Sequence, residues 1–320
     1  MRIVLVGNYS VDYSSETHHK KSLESLGHEV LPLQEGRASG EEILEVAKSC
    51  DLLVFIHTHN VITPGMPLGH VLRELKELTI PTMTYHLDLW FGIERQKDLE
   101  QDEFYRHIGH FFTVDKLMAD WFNENTEVKG HYLPAGVFDQ ECTMIGAVKG
   151  FGPEKSYDRD VIFVGSKGYH HEWQWRPELI DWLSKNYANN FTHVGGDGMT
   201  GTIRGLSLNA VYGTSKIAVG DSLCLNFDYP YYWSDRVYET LGRGGFMIHP
   251  YISGMEKHFE DGKHLVFFKF GDFEDLKSKI DYYLEHDDER EAIRKAGHEH
   301  VKANHTYKNR WQTILKELGL

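Results

Sequence analysis

The sequence is poor in cysteine and in positive charge, and each shortage excludes a class of protein. Its three cysteines, Cys50, Cys142 and Cys224, lie far apart without C-x-x-C spacing. This indicates reduced thiols and no disulfide framework or thiolate zinc site. Lysine and arginine total 34 against 48 acidic residues, a net charge of −14. This balance disfavours a nucleic-acid coat or an anionic-membrane binder, whose affinity rests on neutralising phosphate.

Long apolar runs are also missing from the sequence. The opening run, Ile3 to Gly7, is far shorter than the core of a signal peptide. No apolar stretch of about 18 residues follows it, as a membrane-spanning helix would need. The sequence therefore predicts a cytoplasmic protein without a membrane span.

The patterning that is present predicts an α/β protein. At 320 residues and 41% hydrophobic, the chain can form two cores, and we expect two domains. Short apolar runs alternate with amphipathic segments of helical length, which is typical of βα units around a parallel sheet. The first half predicts strands at 2–6, 28–31, 51–56, 80–85, 110–113 and 131–133, and helices at 16–26, 41–48 and 66–77.

A change of composition marks the expected domain boundary. Residues 147–160 carry turn formers and charge without a periodic apolar face, so we place a linker there. The domains would then span 1–150 and 158–303. The second half predicts strands at 161–165, 191–194, 216–219, 223–226, 246–249 and 265–268, and helices at 176–186, 272–285, 288–303 and 307–318.

Open parallel sheets bind ligands at the carboxyl ends of their strands, where helix N-termini carry partial positive charge. The residues just after the predicted strands therefore indicate where a site lies. They are 7–10, 57–59 and 85–88 in the first half, and 165–167, 195–198 and 220–222 in the second.

One formal nucleotide motif occurs at these positions. Residues 196–201 match G-x-G-x-x-G, and Asp221 follows at a suitable distance. The match does not follow the first strand of its domain, and Gly205 and Gly213 interrupt the next helix. We therefore favour a flexible ligand-facing loop over a nicotinamide or flavin fingerprint. The sequence also has no G-x-x-x-x-G-K-[ST], which excludes the usual P-loop NTPase.

Three further patterns match a site by letters alone. Asp158-Arg159-Asp160 reads D-x-D but precedes its strand, which favours a solvated surface segment. His57 and His59 would converge on a zinc ion only if their strand had already ended. The aromatic run at 229–233 could stack a nucleobase or a sugar, but packing near a turn is the favoured interpretation. We predict no metal site from these patterns.

The most informative stretch is SDRVYETLGRGG at 234–245. Ser234 suits a helix N-cap, and the glycines end the helix before the next strand. Arg236 and Glu239 are three residues apart, so they share a helix face near the positive end, where they suit a diphosphate and hydroxyl groups respectively. An ordinary surface ion pair is the alternative.

The same stretch carries a family resemblance. The block SDRVYETLGRGGFMIHPYISGMEKHF, followed by DGKHLVFF, GDFEDLKSKIDYYLEHDDERE and HTYKNRW, resembles the C-terminal half of GT-B glycosyltransferases of the group 1, spore-maturation-protein-like (CgeB-like) family, over residues 158–315. The N-terminal half is similar more loosely, through GNYS, SLGHEV and TIPTMTYHLD. The resemblance implies two Rossmann-like, doubly wound parallel-sheet domains that face a central cleft. It also implies that a last helix, at 304–320, crosses back to the N-terminal domain.

The resemblance implies a donor site in the second domain. Glu239 matches the glutamate that binds the ribose of the donor nucleotide, with Arg236 beside it. The partner acid eight residues earlier is replaced here by Tyr231. The other donor-binding candidates are Ser166 and Lys167 in the loop that faces the phosphates, Arg176 as a diphosphate clamp, Ser222, and Gly7.

The resemblance also implies the reaction. His86 matches a histidine near the reacting sugar, and Asp88 is a candidate general base. A hexosyl or pentosyl group would pass from a nucleotide-diphosphate sugar, with a UDP-sugar favoured, to a hydroxyl acceptor, without metal or other cofactor. The acceptor would be a glycan, a protein, a small molecule or a modified DNA base, although the net charge disfavours DNA. The alternatives are a non-catalytic nucleotide-sugar-binding protein, and a phosphorylase or sugar-nucleotide isomerase on the same fold.

Overall fold

The chain forms two compact units, each built on a parallel β-sheet. The computed structural model describes residues 1–56, 61–145, 160–168 and 170–320. The first unit contains Met1–Ala135 and Tyr307–Leu320, and the second contains Gly136–Thr306. Because both units carry helices between parallel strands, the described chain has the expected α/β architecture.

The first unit contains a six-stranded parallel sheet, and all six predicted strands are confirmed. They are β1 (Arg2–Gly7), β2 (Glu29–Gln34), β3 (Leu52–Ile56), β4 (Thr82–His86), β5 (His110–Thr113) and β6 (Lys129–Tyr132). Their order in the sheet is β2-β1-β3-β4-β5-β6. The strands β1, β3 and β4 are buried along nearly their whole length, as expected for a parallel sheet that is covered on both faces.

Side-chain caps start several helices of the first unit. Ser14 Oγ accepts from Thr17 N at 3.1 Å, Ser39 Oγ from Glu42 N at 3.2 Å, and Asp115 Oδ1 from Leu117 N at 3.1 Å. Each cap satisfies a backbone N–H that lacks a partner within its helix. The helices are α1 (Ser15–Ser25), α2 (Gly40–Ala47), α3 (Leu68–Glu77), α4 (Gln96–Gln101), α5 (Phe104–His107) and α6 (Lys116–Asn125).

The second unit contains a five-stranded parallel sheet formed by β7 (Val161–Val164), β8 (Phe191–Val194), β9 (Ile217–Val219), β10 (Met247–Pro250) and β11 (Val266–Phe268). Their order in the sheet is β11-β10-β9-β7-β8. The helices that follow α6 along the chain are α7 (Trp175–Tyr187), α8 (Gly205–Thr214), α9 (Arg236–Gly242), α10 (Phe273–Glu285), α11 (Asp287–Asn304) and α12 (Tyr307–Leu318). The first five of these helices belong to the second unit, and α12 belongs to the first.

Two local predictions for the second half are wrong. The segment predicted as a strand at 223–226 contains a 3-10 turn, Leu225–Phe227, in which Asn226 and Phe227 have φ of +56° and +59°. A left-handed backbone cannot continue a strand. Gly205 does not interrupt α8 but begins it, with φ of +62°.

The first unit ends earlier than the sequence predicts. The segment from Gly136 onward packs within the second unit, where Val137 forms a β-bridge with Thr306. Asn209 Nδ2 on α8 donates to the carbonyl oxygens of Glu141 and Thr143, at 2.7 and 2.8 Å. Of the predicted linker at 147–160, all but the last residue lies outside the described residues.

The helix α12 covers one face of the first unit. Trp311 and Ile314 are fully buried, Leu315 is buried and Leu318 is half-buried, so the predicted apolar stripe faces the interior. The ring of His19 on α1 stacks on Tyr307 at 3.9 Å. Arg310 donates two hydrogen bonds to the carbonyl oxygen of Ala135, at 2.7 and 3.0 Å. The last helix is therefore part of the first core.

The three cysteines are buried free thiols. Within the described part of the chain, no helix has the length and apolar character that crossing a membrane requires.

Candidate functional site

An ion cluster on α9 forms the centre of the candidate site. The helix begins after Asp235, one residue later than the predicted N-cap Ser234, and Ser234 Oγ accepts from Arg236 N at 3.2 Å. Glu239 lies between two guanidinium groups, with its carboxylate 3.1 Å from Arg236 Nη1 and 3.6 Å from Arg243 Nη2. Its side chain is 24% exposed, so a ligand can reach a carboxylate that is already held in place.

The sequence did not predict the deeper half of this cluster. Arg243 is buried, and its Nη1 donates to Asn209 Oδ1 at 2.7 Å and to Gly205 O at 3.1 Å. Its Nη2 forms an ion pair with Glu141. Burial acts to lower the pKa of Arg243, but Glu239 and Glu141 raise it, so the guanidinium stays charged. The pair of Arg236 and Glu239 is thus anchored in the interior and is not an ordinary surface pair.

Arg176 connects two loops at the carboxyl edge of the second sheet. Its Nε donates to Asp221 Oδ2 at 2.7 Å, and its Nη1 lies 3.5 Å from the carbonyl oxygen of Ser166. Trp173 Nε1 donates to the same oxygen of Asp221 at 3.0 Å. The structure therefore brings together the strand ends of β7 and β9, where three of the predicted site residues lie.

The loop after β7 presents backbone N–H groups to an anion. The N–H groups of Lys167 and Gly168 donate to the carboxylate of Asp197 at 2.9 to 3.1 Å. Burial acts to raise the pKa of Asp197, but these backbone hydrogen bonds lower it overall. Such paired N–H groups suit phosphate oxygens as well. The ammonium of Lys167 instead forms an ion pair with Asp181 on α7.

Ser222 is hydrogen-bonded to the loop that precedes α9. His249 Nδ1 lies 2.7 Å from the carbonyl oxygen of Pro250, so it is the donor there. In the neutral ring, His249 Nε2 then accepts from Ser222 Oγ at 3.0 Å. Ser222 Oγ in turn accepts from Ser234 N at 2.9 Å. These bonds make Ser222 a residue that positions the start of α9, rather than one that presents a free hydroxyl to a donor.

The burial of His249 predicts acid sensitivity. Burial lowers its pKa from 6.5 to about 4, so the unfolded chain binds one more proton than the folded chain between these values. Stability should therefore fall as the pH drops from 6.5 to 4, by up to about 1.4 kcal/mol per pH unit for this residue. Urea unfolding at several pH values measures the slope.

A variant isolates this contribution from that of the other histidines. His249→Asn should show a shallower loss of stability with acid than the wild-type chain. His171→Asn, at an exposed position, should keep the wild-type slope. An unchanged slope in His249→Asn would contradict a neutral, buried His249.

The first unit holds the remaining predicted residues at the carboxyl ends of its strands. His86 ends β4, fully buried, with its ring against Trp90 at 4.6 Å and Phe111 at 5.8 Å. Asp88 is about 30% exposed and lies 3.5 Å from Arg95 Nη1. Only Asp88 of this pair presents its side chain to solvent.

Gly7 is required by packing. A Cβ atom at Gly7 would lie 2.4 Å from Cγ of Glu16, so only glycine allows α1 to pack this closely on the end of β1. In the sheet, β3 separates β1 from β4. The structure therefore does not bring Gly7 and His86 together.

The weaker motifs divide between described and undescribed residues. His57, His59, Asp158 and Arg159 lie outside the described residues, whereas Asp160 forms an ion pair with Lys216 at 3.1 Å. In the aromatic run, Tyr232 and Trp233 are buried, and Trp233 Nε1 donates to the hydroxyl of Tyr238 at 2.9 Å. The buried half of this run therefore serves packing.

Similarity to solved structures shows the fold. An alpha-glucosyltransferase in complex with UDP-glucose and DNA containing an abasic site gives a TM-score of 0.67 at 12% identity, covering 100% of both chains. HepE of Anabaena in complex with UDP and glucose gives a TM-score of 0.64 at 12% identity, covering 100% of this chain and 99% of that one. Sucrose-phosphate synthase from Thermosynechococcus elongatus gives a TM-score of 0.64 at 11% identity, covering 99% of this chain and 98% of that one. The two parallel sheets thus form the GT-B fold.

No functionally curated protein matches the sequence. A family model described as glycosyl transferase-like matches residues 155–316, which is half of the chain and includes Arg236, Glu239 and Arg243 of the ion cluster. The chain therefore belongs to the glycosyl transferase-like family.

Proposed function

We propose that the chain is a metal-independent glycosyltransferase that moves a sugar from a UDP-sugar to a hydroxyl acceptor. The observation that carries this proposal is the partly exposed side chain of Glu239, whose carboxylate is held between Arg236 and Arg243. It can accept hydrogen bonds from the ribose hydroxyls of a donor. The presence of UDP or UDP-glucose in similar structures supports the choice of nucleotide.

Contacts to the donor phosphates would come from the second unit, from the starts of α7 and α9 and from the loop after β7. In sugar transfer, negative charge builds on the leaving diphosphate while the sugar gains oxocarbenium character. Guanidinium groups and backbone N–H groups that are fixed in advance stabilise such charge without solvent reorganisation. We assign this role to Arg236 and Arg176. The N–H groups of Lys167 and Gly168, which bind the carboxylate of Asp197, join them only where a phosphate oxygen takes the place of that carboxylate. The Ser166 carbonyl and the Ser222 hydroxyl would hold the loops in place.

The acceptor side is assigned to the first unit. If transfer inverts the sugar, Asp88 is the better general base, because its carboxylate is partly exposed whereas His86 is buried among aromatic rings. His86 would then support the strand end. If transfer retains the sugar, the leaving phosphate can take the acceptor proton. A glycan, protein or small-molecule hydroxyl is preferred to DNA, given the net charge of −14. The spore-maturation-protein-like subfamily is part of the same proposal.

A donor panel tests the nucleotide. A ligand at one hundred times its dissociation constant stabilises a protein by about 2.7 kcal/mol. We expect UDP-sugars to raise the melting temperature, and GDP-, ADP- and dTDP-sugars to raise it less. Release of UDP only when an acceptor is added separates transfer from binding alone. A requirement for free phosphate would instead support a phosphorylase.

Metal independence gives a separate expectation. The sequence has no D-x-D at a predicted strand end, and cationic side chains near α9 and β7 can neutralise the diphosphate. Turnover should therefore be nearly unchanged after EDTA treatment, measured as product formed per minute. Loss of turnover that manganese restores would contradict the proposed mechanism.

A further inference from the structure

A cavity of about 860 Å³ opens in the second unit, and none of the ion cluster residues lines it. Its walls come from the segment after β10, from β11 and the residues that follow it, and from the 3-10 turn at Leu225–Phe227. This volume lies within the range of about 300–1,000 Å³ that is typical of small-ligand sites. Neither Glu239 nor any other predicted donor residue lines it.

Exposed aromatic rings line this cavity. Phe227 is 45% exposed and Tyr251 is 43% exposed, although large apolar side chains are usually more buried than this. Phe227 stacks on Phe270 with ring centroids 4.9 Å apart, and Tyr251 meets the edge of Phe267 at 5.5 Å. Both rings are therefore held by aromatic neighbours while nearly half of each residue stays exposed.

The backbone that carries the Phe227 ring has an unfavourable conformation. Asn226 and Phe227 have φ of +56° and +59°, a left-handed conformation that is unfavourable for a bulky residue such as Phe227. The Phe227 ring is fixed by the edges of Trp173 at 5.8 Å and Trp175 at 5.4 Å. Strain that neighbouring contacts maintain is typical of ligand-binding positions.

The polar groups of the cavity suit hydroxyl donors. Glu256 Oε2 accepts from the Tyr251 hydroxyl at 3.0 Å and from Gly254 N at 2.8 Å, which orients its carboxylate. Asp261 Oδ1 accepts from Phe267 N at 2.7 Å. Three acids and one lysine line the cavity, so phosphate groups are disfavoured there. Carboxylates with lone pairs to spare form charge-assisted hydrogen bonds with hydroxyl groups.

We propose that this cavity binds a neutral oligosaccharide. The C–H face of a pyranose ring carries slight positive charge and fits the negative face of Phe227 or Tyr251, while its hydroxyls bond to Glu256 and Asp261. A nucleotide is disfavoured because its phosphates would face three acids and one lysine. The site goes beyond the proposed transfer reaction, because it needs neither Glu239 nor a donor.

Saturation-transfer NMR on the full chain tests this site with maltotetraose, cellotetraose and tetraacetylchitotetraose. At least one tetrasaccharide should bind, and Tyr251→Ala should weaken that binding by about tenfold or more. Phe227→Ala should weaken it similarly. Tyr282→Ala, which removes a ring of 44% exposure on α10 that does not line the cavity, should leave it unchanged.

Two further measurements keep the result unambiguous. Circular dichroism melting establishes that each variant is folded, and UDP affinity should be the same in Tyr251→Ala and the wild-type chain. Failure of all three sugars to bind overturns the proposal. Tetramethylammonium is the second probe, because aromatic rings and acids also attract organic cations. Binding of this cation without binding of any of the sugars overturns the proposal too. Binding that Tyr251→Ala leaves intact overturns it too. Loss of UDP affinity in Tyr251→Ala would show a nucleotide pocket instead.

Discussion

Replacing Trp311 with alanine should lower the free energy of unfolding of the first unit by about 3–5 kcal/mol. The Trp311 side chain is fully buried, next to the equally buried Ile314. The edge of its ring lies against His19 on α1, with centroids 5.7 Å apart. Removing the indole leaves a cavity that the surrounding helix and strand cannot fill, so lost burial and lost contacts add.

Urea unfolding followed by circular dichroism measures this change. Lys316→Ala, at an exposed position on the same helix, is the matched control and should change stability by less than about 0.5 kcal/mol. Because the proposed donor residues other than Gly7 lie in the second unit, UDP affinity should change little at temperatures where the variant is folded. A Trp311→Ala chain that unfolds like the wild type would show that α12 does not belong to the first core.

The two sheets could be predicted from the sequence because several of their strands are continuous runs of apolar residues. Ile3 to Val6 and Leu52 to Ile56 are apolar throughout, as strands covered on both faces require. The same criterion failed at 223–226, where Leu223 and Cys224 are also buried but lie in a loop. The left-handed conformation of Asn226 and Phe227 decides that segment, and no apolar pattern reveals it.

The candidate site could be predicted only where its partners are close in sequence. Arg236 and Glu239 share a helix turn, so their spacing indicated the pair. Glu141 lies 102 residues before its partner Arg243, and nothing in the sequence connects the two. Asp197 was visible only as part of a glycine motif, although its carboxylate binds the loop after β7. Tertiary packing creates these contacts.

Replacing Glu239 with glutamine should lower the affinity for UDP by about 1.5–3 kcal/mol, or roughly 10- to 150-fold. Glutamine keeps the shape of the side chain but removes the charge that strengthens hydrogen bonds from the ribose hydroxyls. The fold should survive, because Arg243 keeps its ion pair with Glu141 and its hydrogen bond to Asn209. Isothermal titration calorimetry measures the affinity.

The comparison of UDP with uridine identifies which part of the nucleotide Glu239 contacts. A ribose contact predicts the same loss of affinity for both ligands in Glu239→Gln, since both carry the ribose. The carboxylate of Glu239 lies 3.1 Å from Arg236 Nη1. If it served only to hold Arg236 toward the phosphates, UDP affinity would fall in Glu239→Gln while uridine affinity stayed constant. Glu289→Gln, which removes an exposed carboxylate on α11, should leave both affinities unchanged. Equal affinities for UDP in Glu239→Gln and the wild type would remove Glu239 from the donor site, and with it the observation that carries the proposed function.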